Sequence, residues 1–485
     1  MRPRRGSRGI PPEERSEIEI EHSINPSMKS TLDREMVAGG NAGSRLPQVR
    51  WYKELNRGHW RVLMASFLGW IFDGYENYAL FLVAAPALRQ LLPPDQLKQV
   101  SIYQGIIVAS MLIGVGSGGV FAGIVADYIG RKRTMMFTIL MYSICTGLTG
   151  FVHSWVQLAI FRFLAGLGMG GEWATGTTLM AESWPPRARA KGLGIMQSAF
   201  GWGSLTASMV WYLVSMTAGP GAWRIVFFLG VLPSLFVLYL RRKVKESEKW
   251  MEKRDERKEL KSRVASGAVL TRDQNIVARF TLGTLFRDPQ LRRTTLLCLV
   301  MALGTMLGFW GVSTWIPAYV ESVAKAAHFS NAAQWGGIAG LLFTAGSIVG
   351  YISAGFIADY IGRRGLLYLL FGGALVTTPV VFLWTHTPLA IAIAACVNGA
   401  FTLGQFAWMA IYSPELFPTA VRATAASVVF NGARFVSIMG PLTSGVLIAH
   451  HVPYSTTALA FSCAYVLALC VVPFMPETRG KPLPA

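Results

Sequence analysis

One short stretch of this chain occurs twice. Gly123–Arg133 reads GIVADYIGRKR, and Gly355–Arg364 repeats it almost unchanged as GFIADYIGRR. Each copy closes an apolar run and opens a basic turn, which is typical of the place where a membrane helix leaves the bilayer. A repeat at such a long interval predicts a chain built from two equivalent halves.

The composition favours a membrane protein. Hydrophobic residues make up 52% of the 485 positions and charged residues 15%, so the chain has more apolar surface than one soluble core can bury. The net charge of +19 is also compatible with nucleic-acid binding, but Lys and Arg concentrate in short segments between the apolar runs. That distribution is typical of the positive-inside bias, and it argues against a nucleic-acid partner.

The sequence carries no signature of a cofactor, a metal site or an enzyme. The five cysteines lie inside apolar runs without a CxxC pair or a histidine at ligand spacing, so they are interpreted as small core residues. There is no GxxxxGK[ST] nucleotide loop, no Ser–His–Asp grouping, and no strand before the glycine-rich GLGMGGEW. We therefore predict no cofactor, no metal and no enzymatic activity.

Twelve apolar runs of spanning length follow from residue 60 onward. They lie at about 62–88, 102–125, 134–152, 155–181, 190–216 and 222–240, and then at about 294–320, 335–358, 366–385, 388–412, 423–449 and 456–475. This pattern predicts an all-α membrane protein with twelve transmembrane helices in two six-helix pseudo-symmetric halves, residues 59–241 and 293–476.

Three polar segments lie outside the predicted halves. Residues 1–58 mix charged and small residues without periodicity, which predicts a disordered cytoplasmic N-terminal tail. Residues 242–292 are strongly basic and predict a solvated helix and linker along the cytoplasmic face. Residues 477–485 are expected to form a short cytoplasmic tail.

The charges of the short loops predict the orientation. Basic turns follow the second, fourth and eighth runs, whereas Lys and Arg are missing from the loops near 153, 219, 386 and 452. Both termini are therefore predicted to be cytoplasmic. No signal peptide precedes the first run, which is expected to act as an uncleaved signal.

A second pair of segments supports the duplication. AESWPPRARAKG at 181–192 aligns with SPELFPTAVRATA at 413–425, which places Glu182 against Glu415. Two parallel six-helix halves, related by an axis along the membrane normal, are expected to enclose a substrate cavity near the middle of the bilayer.

Together with RFLAGLGMGG at 162–171 and PETRGKPLP at 476–484, these motifs resemble the major facilitator superfamily over residues 60–485. The segments WIFDGYENYAL around Asp73 and FNGARFVSIMGP around Arg434 are similar to its proton-coupled carboxylate symporters, the sialate/lactate and aromatic-acid groups. The resemblance implies alternating access, in which the two halves rock around a central site.

The resemblance also implies a gating role for the repeated motif. Asp127 and Arg131 would pair with helix ends of the other half and hold the cytoplasmic side shut. A carboxylate at a helix terminus can accept from backbone N–H groups and from an arginine, which agrees with that role. The alternative is that these residues only end a helix and anchor its orientation. The matching positions of the two copies are Gly123, Asp127, Gly130, Arg131, Asp359, Gly362 and Arg363.

Ionisable side chains within spanning helices need a partner or a task, because each costs about 2.5–3.5 kcal/mol on insertion. Asp73 and Glu76 lie three residues apart on one helix face, where mutual repulsion favours a proton on one of them. The resemblance implies that Asp73 couples to Arg162 and that a proton on Asp73 loosens this pair. Glu172 is a second protonation candidate. The alternative is a static ion pair that only stabilises the bundle.

Arg434 is the leading candidate for substrate binding. It lies about ten residues into the eleventh run, and its repeat counterpart is Gly201, so the duplication does not require an arginine there. A guanidinium facing the cavity is a natural bidentate anchor for a carboxylate. Core packing is the alternative interpretation for the further candidates of the cavity lining, which are Trp310, Trp315, Tyr319, Asn398 and Gln405.

The predicted function is secondary active transport, a proton-coupled symport of a small organic anion into the cell. The anion is expected to be a monocarboxylate, a sialate-like acid or an aromatic acid. The alternatives are a drug or metabolite efflux antiporter, a neutral sugar symporter, and a transport-dead receptor that uses the linker to bind a partner. The short loop at 89–101 favours the inner membrane of a bacterium, and the transporter is expected to be a monomer.

Overall fold

The computed structural model describes residues 50–217, 219–330 and 332–484. All regular secondary structure within these ranges is helical. The chain therefore agrees with the predicted all-α class as far as it is described.

The chain separates into two units, Met1–Lys53 and Glu54–Ala485. Most of the tail predicted at 1–58 belongs to the first unit and lies outside the described residues. Beginning at Trp51, a short 3-10 helix precedes the long helices.

Seven helices precede the linker, and they coincide with the first six predicted runs. They are α1 (Arg57–Leu91), α2 (Val100–Ile129), α3 (Arg131–Thr149), α4 (Trp155–Ser183), α5 (Pro186–Thr217), α6 (Ala222–Leu229) and α7 (Leu232–Lys243). The sixth run is divided at Gly230, because Pro233 starts a new helix at a position where its missing N–H costs no hydrogen bond.

The linker forms three short helices, α8 (Glu248–Ala265), α9 (Arg272–Ala278) and α10 (Thr281–Arg287). Ser247 and Thr271 cap α8 and α9 by accepting hydrogen bonds from backbone N–H groups. The prediction of a solvated helix is wrong for one side of α8. Trp250, Arg257 and Leu260 are buried there, because they pack against the ends of the long helices.

The helices after the linker follow the last six predicted runs, with breaks inside several of them. They are α11 (Pro289–Ser313), α12 (Ile316–Ala326), α13 (Ala332–Pro379), α14 (Pro388–Thr402), α15 (Ala407–Ile411), α16 (Ser413–Leu416), α17 (Arg422–Ser437), α18 (Met439–Ala449), α19 (Tyr454–Ser462) and α20 (Ala464–Val471). Two runs merge into α13, which is broken at Gly362.

By length and hydropathy, five helical stretches among the described residues can cross a membrane. They are Ile102–Ile129, Pro289–Ala326, Gln334–Trp384, Pro388–Leu416 and Tyr454–Phe474. The third has 51 residues. At about 1.5 Å per residue it is more than twice as long as the hydrocarbon core of about 30 Å, so the break at Gly362 leaves enough length for two passes.

The contacts between the two parts of the bundle follow the repeat. Helix α2, which ends in the first copy of the motif, packs against α17. The first arm of α13, which ends in the second copy, is the equivalent of α2, and α13 packs against α5. Since α5 and α17 begin within the aligned segments 181–192 and 413–425, the two contacts are equivalent.

Glycines allow α2 and α4 to approach closely. A Cβ added to Gly166 would lie 2.4 Å from the carbonyl oxygen of Met111, and one added to Gly170 would lie 2.0 Å from that of Val115. No side chain tolerates such distances, so these two positions require glycine for the close packing of α2 and α4.

Gly170→Ala is therefore expected to destabilise the protein by about 1–3 kcal/mol, because the new methyl group meets rigid backbone. The matched control is Gly372→Ala in α13, where an added Cβ has no atom within 4 Å. That change is expected to stabilise the helix by about 0.5–1 kcal/mol. Thermal unfolding of the purified variants in detergent measures both effects, and equal melting temperatures would contradict the tight α2–α4 contact.

Candidate functional site

Both copies of the repeated motif form the same turn. Gly130 separates α2 from α3 with φ 110° and ψ 154°. Gly362 breaks α13 with φ 84° and ψ 172°. Positive φ values of this size favour glycine, so the glycine of each copy is needed for the turn itself.

A carboxylate fills the space beside the first turn. A Cβ on Gly130 would lie 2.2 Å from Glu246 Oε2. Glu246 Oε1 accepts hydrogen bonds from the backbone N–H groups of Arg131 and Lys132 at 3.0 and 3.2 Å. Glu246 thus caps the N-terminus of α3 from the segment just before the linker helices.

The second turn has the same cap. Glu477 accepts from the backbone N–H groups of Arg363 and Arg364 at 2.9 and 3.1 Å, beside Gly362. Burial opposes ionisation of Glu477, but these backbone hydrogen bonds outweigh it and hold its pKa below the ordinary value. Sequence reasoning missed Glu246; the only signal was a glutamate followed by Ser or Thr at the equivalent place in both halves, KES and PET.

Four fully buried charges lie behind the first turn. Arg131 Nη2 is 3.1 Å from both Asp127 Oδ1 and Glu182 Oε1. Arg422 Nη1 lies 2.9 Å from the same Glu182 oxygen. All four side chains are 0% exposed. The two positive and two negative charges compensate each other, which is what allows them to be buried.

Asp127 also binds the first turn of α17. Its Oδ2 accepts from the hydroxyl and the backbone N–H of Thr424 at 2.6 and 2.9 Å, and its Oδ1 accepts from the N–H of Ala423 at 3.4 Å. A carboxylate at a helix N-terminus is well placed for these bonds. Gly123 permits the approach, because an added Cβ would lie 2.5 Å from Ser427 Cβ. The contact implied between this motif and helix ends of the other half is thus present at α17.

The second copy makes the equivalent contact to α5. Lys191, which the repeat aligns with Thr424, forms an ion pair with Asp359 Oδ2. Arg363 lies 3.0 Å from Asp359 Oδ1 and binds Glu415 through two contacts of 3.0 and 2.8 Å. Asp359 and Lys191 keep 22% and 14% of their side-chain surface exposed, so this copy is wetter than the first.

The linker and the C-terminal segment close over the same face. Arg257 donates to the carbonyl oxygens of Asp127 at 2.7 Å and Ala420 at 2.9 Å, so α8 joins the end of α2 to the segment before α17. At the C-terminus, the carbonyl oxygen of Pro484 accepts from Arg422 Nη2 at 2.7 Å. Residues 477–484 therefore pack on this face, where a tail was predicted.

A cavity of about 380 Å³ lies on the other side of this closed face, mainly among α1, α5, α11, α13 and α17. Its lining on α1 runs from Trp70 to Leu82, whereas the start of α1 contacts the closed face through the His59 carbonyl and Trp184. Ten of the described lining side chains are aromatic, so the walls offer flat apolar surfaces.

Arg434 is the only charged residue among the described residues that line the cavity. Its guanidinium carbon lies 4.6 Å from the centroid of the Phe430 ring. No described carboxylate lies within ion-pair distance of it, although Asp73 interacts with it electrostatically. The guanidinium is therefore available to a ligand.

Asp73 lies near Arg434 of the cavity and near two further carboxylates. Asp73 is 2% exposed, and its Oδ1 has no hydrogen-bond partner among the described residues. Its carboxylate interacts electrostatically with Glu172, Arg434 and Glu76. Asp73 is thus subject to the attraction of one cation and the repulsion of two further carboxylates.

The implied coupling of Asp73 to Arg162 is wrong, because Arg162 is paired with Glu76. Arg162 Nη1 is 3.4 Å from Glu76 Oε2, and its Nη2 donates to the hydroxyls of Thr146 and Thr149 at 2.9 and 2.7 Å. Glu76 lies one turn further along α1 than Asp73. This position is level with Arg162 near the start of α4, since α1 ends on the side where α4 begins.

Glu172 lies in a notch on α1. A Cβ added to Gly69 would be 1.6 Å from Glu172 Oε1, so the carboxylate rests directly on that glycine, one turn before Asp73. Neither oxygen of Glu172 has a hydrogen bond to a described residue, and the Tyr142 hydroxyl lies nearby. The site is dry, since Glu172 is 2% exposed.

Two of the predicted cavity residues lie in the packing of the second half instead. Asn398 is fully buried and donates to the Thr377 hydroxyl at 2.9 Å, which ties α14 to α13. Gln405 is fully buried as well and donates to the Thr402 carbonyl at 2.7 Å. Their prediction as lining was wrong, because neighbouring hydroxyl and carbonyl groups bind these amides.

The predicted aromatic residues are divided in the same way. Trp310 lines the cavity, as expected. Tyr319 does not, because its hydroxyl donates to the Phe382 carbonyl at 3.2 Å within an apolar cluster. Trp315 likewise points away and donates to the Ser444 hydroxyl at 2.9 Å.

Sequence reasoning missed an aromatic group at the base of the cavity. The rings of Trp173 and Phe430 stack with centroids 3.9 Å apart, and Trp70 lies 6.2 Å from Phe430. These residues come from α4, α17 and α1 respectively. Isolated aromatic residues in apolar runs give no signal of such a meeting, because each is equally compatible with core packing.

Comparisons with known proteins support a common origin with transporters. A family model described as "Sugar (and other) transporter" matches residues 62–485. The chain is 30% identical over 433 residues to the "Probable 4-methylmuconolactone transporter" of Cupriavidus pinatubonensis, covering 89% of this chain and 93% of that protein. It is 27% identical to the "Niacin transporter NiaP" of Acinetobacter baylyi, covering 88% and 95%.

A similar fold is found among solved structures. The proton:xylose symporter XylE of E. coli matches with a TM-score of 0.69 and 20% identity, covering 88% of this chain and 98% of that one. At this identity the likeness concerns the fold alone.

Glu477→Gln is expected to destabilise the protein at pH 7 by about 0.5–2 kcal/mol, because it removes the negative charge that caps the second turn. The pKa of Glu477 is lowered in the folded state, so its contribution is complete above the ordinary glutamate pKa of about 4.3. It is lost as the pH falls through the folded value. Thermal unfolding at several pH values should show that the difference in melting temperature between the variant and wild type shrinks below about pH 4.3.

The control for this series is Glu259→Gln, which removes an exposed carboxylate on α8. It is expected to leave the melting temperature at pH 7 almost unchanged. A Glu477→Gln variant as stable as this control at pH 7 would show that the cap contributes nothing.

Proposed function

We propose a substrate class and a coupling ion for this chain, which belongs to the sugar (and other) transporter family and is a multi-pass membrane transporter rather than an enzyme. The resemblance to the major facilitator superfamily is thereby confirmed. The transporter imports a small organic anion together with protons. Alternating access moves the anion through the central cavity.

The observation that carries this proposal is the isolated arginine of the cavity. Arg434 is the only charged residue among the described lining residues, and no carboxylate in the described part of the chain lies within ion-pair distance of it. A half-buried guanidinium without such a partner favours an anionic ligand, and its planar fork suits a carboxylate. It would repel a cationic drug, and it has no evident use for a neutral sugar.

The walls of the cavity support a planar acid with a flat apolar body. Trp70 and Trp310 line the cavity together with Phe430, whose ring lies beside Arg434. A volume of about 380 Å³ lies at the small end of the range for ligand sites. Niacin, named for one relative, is an aromatic monocarboxylate of this kind.

Coupling to protons follows from the competition for Arg434. An ionised Asp73 attracts the guanidinium and opposes the binding of a second carboxylate nearby. A proton on Asp73 removes this competition and leaves the full positive charge to the substrate. Proton and anion therefore favour each other's binding, as a symporter requires.

Glu76, Arg162 and Glu172 complete the proposed proton pathway. Glu172 is buried and neither of its oxygens accepts a hydrogen bond from a described residue, so an ionised carboxylate is costly there and Glu172 serves as the second proton site. A proton on Glu76 would weaken its pair with Arg162 and loosen α1 from α4.

The two copies of the motif serve as gates in this proposal. Twelve transmembrane helices form two halves, 59–241 and 293–476, joined by the linker 242–292. Both termini are cytoplasmic, and the contacts of Asp127 and Asp359 close the cytoplasmic side. The protein acts as a monomer in the inner membrane of a bacterium.

Arg434→Ala is expected to raise the KM for a carboxylate substrate about 10- to 100-fold, because a hydrogen bond to a charged group contributes about 1.5–3 kcal/mol. The KM of Arg434→Lys should fall between those of wild type and Arg434→Ala, since lysine keeps the charge but loses the planar fork of the guanidinium. Uptake of labelled niacin, benzoate and related acids into proteoliposomes measures the effect. Arg89→Ala, an exposed arginine outside the cavity, is the control. Wild-type kinetics in both Arg434 variants would exclude this anchor.

Asp73→Asn is expected to abolish accumulation driven by an inward proton gradient, because the side chain no longer binds and releases a proton. Exchange of labelled for unlabelled substrate, which needs no net proton movement, should continue. The measurement compares the two assays in proteoliposomes with and without an uncoupler. Asp95→Asn, an exposed site, should behave as wild type. Gradient-driven accumulation that survives in Asp73→Asn would place the coupling elsewhere.

A further inference from the structure

A second hollow, of about 870 Å³, lies outside the helix bundle, between α9, α10 and the first turn of α11. Three arginines line it, Arg272, Arg279 and Arg287, together with the single carboxylate of Asp288. Nothing in the transport cycle proposed above makes use of this groove. Its charge and position point to a binding site of its own.

One of the three arginines is neutralised within the groove. Arg272 binds Asp288 through two contacts, Nε to Oδ2 at 2.6 Å and Nη2 to Oδ1 at 2.7 Å. Asp288 also caps α11 by accepting from the backbone N–H groups of Gln290 and Leu291. The hydrogen bonds from Arg272 lower the pKa of Asp288 to about 2, so the pair stays ionised.

The other two arginines are uncompensated. Arg279 and Arg287 are exposed, and no described carboxylate lies within ion-pair distance of either. Two further exposed arginines, Arg292 and Arg293, follow on the first turn of α11. The groove is therefore a concentrated positive site that suits a phosphate group.

The groove lies at the level of a membrane surface. The stretch able to cross the bilayer begins at Pro289, which itself lines the groove. Phe280 in the groove wall is 55% exposed and Phe286 beside it is 39% exposed, so aromatic side chains flank the arginines. Basic residues next to exposed aromatic residues at the end of a spanning helix are typical of contact with anionic lipid headgroups.

We propose that this groove binds the phosphate headgroup of an anionic phospholipid. In the proposed orientation the lipid belongs to the cytoplasmic leaflet. Arg279 and Arg287 hold the phosphate, while the acyl chains run along the lipid-facing side of α11. A soluble phosphate offers the same chemistry without the acyl chains, and the exposed rings favour the lipid.

Lipid in this groove would act on the closed face through α10. The hydroxyl of Thr281, the first residue of that helix, is hydrogen-bonded to the Thr424 hydroxyl at 3.0 Å, and the backbone N–H of Thr281 donates to the Tyr128 hydroxyl at 3.3 Å. Thr424 is the residue that binds Asp127. Fastening α10 to the membrane thus supports the contact between α2 and α17.

The test uses the full-length protein, purified in detergent and mixed with equal amounts of phosphatidylglycerol and phosphatidylcholine. Native mass spectrometry counts the bound lipids. Wild type should retain phosphatidylglycerol in preference, and Arg279→Gln/Arg287→Gln should reduce that preference about thirtyfold, since each basic residue near the surface contributes about a fivefold change in binding. The control Lys258→Gln/Arg263→Gln removes two exposed charges from α8, outside the groove, and should stay within about twofold of wild type.

Three outcomes would overturn the proposal. Equal losses of this preference in the two double variants would show that lipid binding depends on the general surface charge and not on a site in the groove. No preference for phosphatidylglycerol in wild type would exclude an anionic lipid. Displacement of the lipid by glycerol 1-phosphate as readily as by short-chain phosphatidylglycerol would identify the ligand as a soluble phosphate. If the double variant fails to fold, the two single variants replace it, each with an expected loss of about fivefold.

Discussion

The buried charges of Asp127, Arg131, Glu182 and Arg422 are the constraint on which the rest of the structure depends. They are free of water only because each faces an opposite charge and accepts or donates hydrogen bonds. Removing one partner from such a group costs about 3–5 kcal/mol. A partial separation of these groups is equally unfavourable, because it breaks the ion pairs before water can enter and solvate the charges. The closed face formed by these charges is therefore stable either with all its ion pairs made or with all its charges hydrated. Two stable arrangements of this kind define a two-state element.

The second copy of the motif is built from the same parts but solvated differently. Asp359 meets Lys191, whereas the equivalent Asp127 meets a hydroxyl and two backbone N–H groups. Water already reaches Asp359, so its ion pair is screened and contributes less than the dry network. The repeat thus gives two contacts with one geometry and unequal strength. The linker reinforces the dry one, because Arg257 of α8 binds the carbonyl of Asp127.

The sequence predicts the helices and the turns well, because both depend on local signals. A glycine that needs positive φ, a capping residue and a run of apolar residues each act within a few positions. The pairing of Arg162 could not be predicted in this way. Asp73 and Glu76 share a helix face, and only the relative depth of α1 and α4 selects Glu76.

The prediction that buried polar amides line the cavity failed for a related reason. Asn398 looked like a cavity residue because an amide within an apolar run needs a partner, and the sequence does not reveal that Thr377 supplies it. The capping role of Glu246 was missed for a different reason. Its neighbours, KVKESEKW, share little with FMPETRGK around Glu477 beyond a glutamate followed by Ser or Thr, and this short signal is informative only once both carboxylates are found beside a turn glycine.

The cavity shows what the duplication leaves free to vary. Arg434 and its repeat counterpart Gly201 both line the cavity. The position on α17 therefore carries a cation, whereas the equivalent position on α5 has no side chain. In the proposed function, a ligand bound between them would have one end at the guanidinium and the other among aromatic rings. A second carboxylate on the ligand would meet no second cation among the described lining residues, and it would lose its hydration without compensation. Under the proposed function, this geometry favours monocarboxylates over dicarboxylates, and the preference comes from a position where the two halves differ in charge.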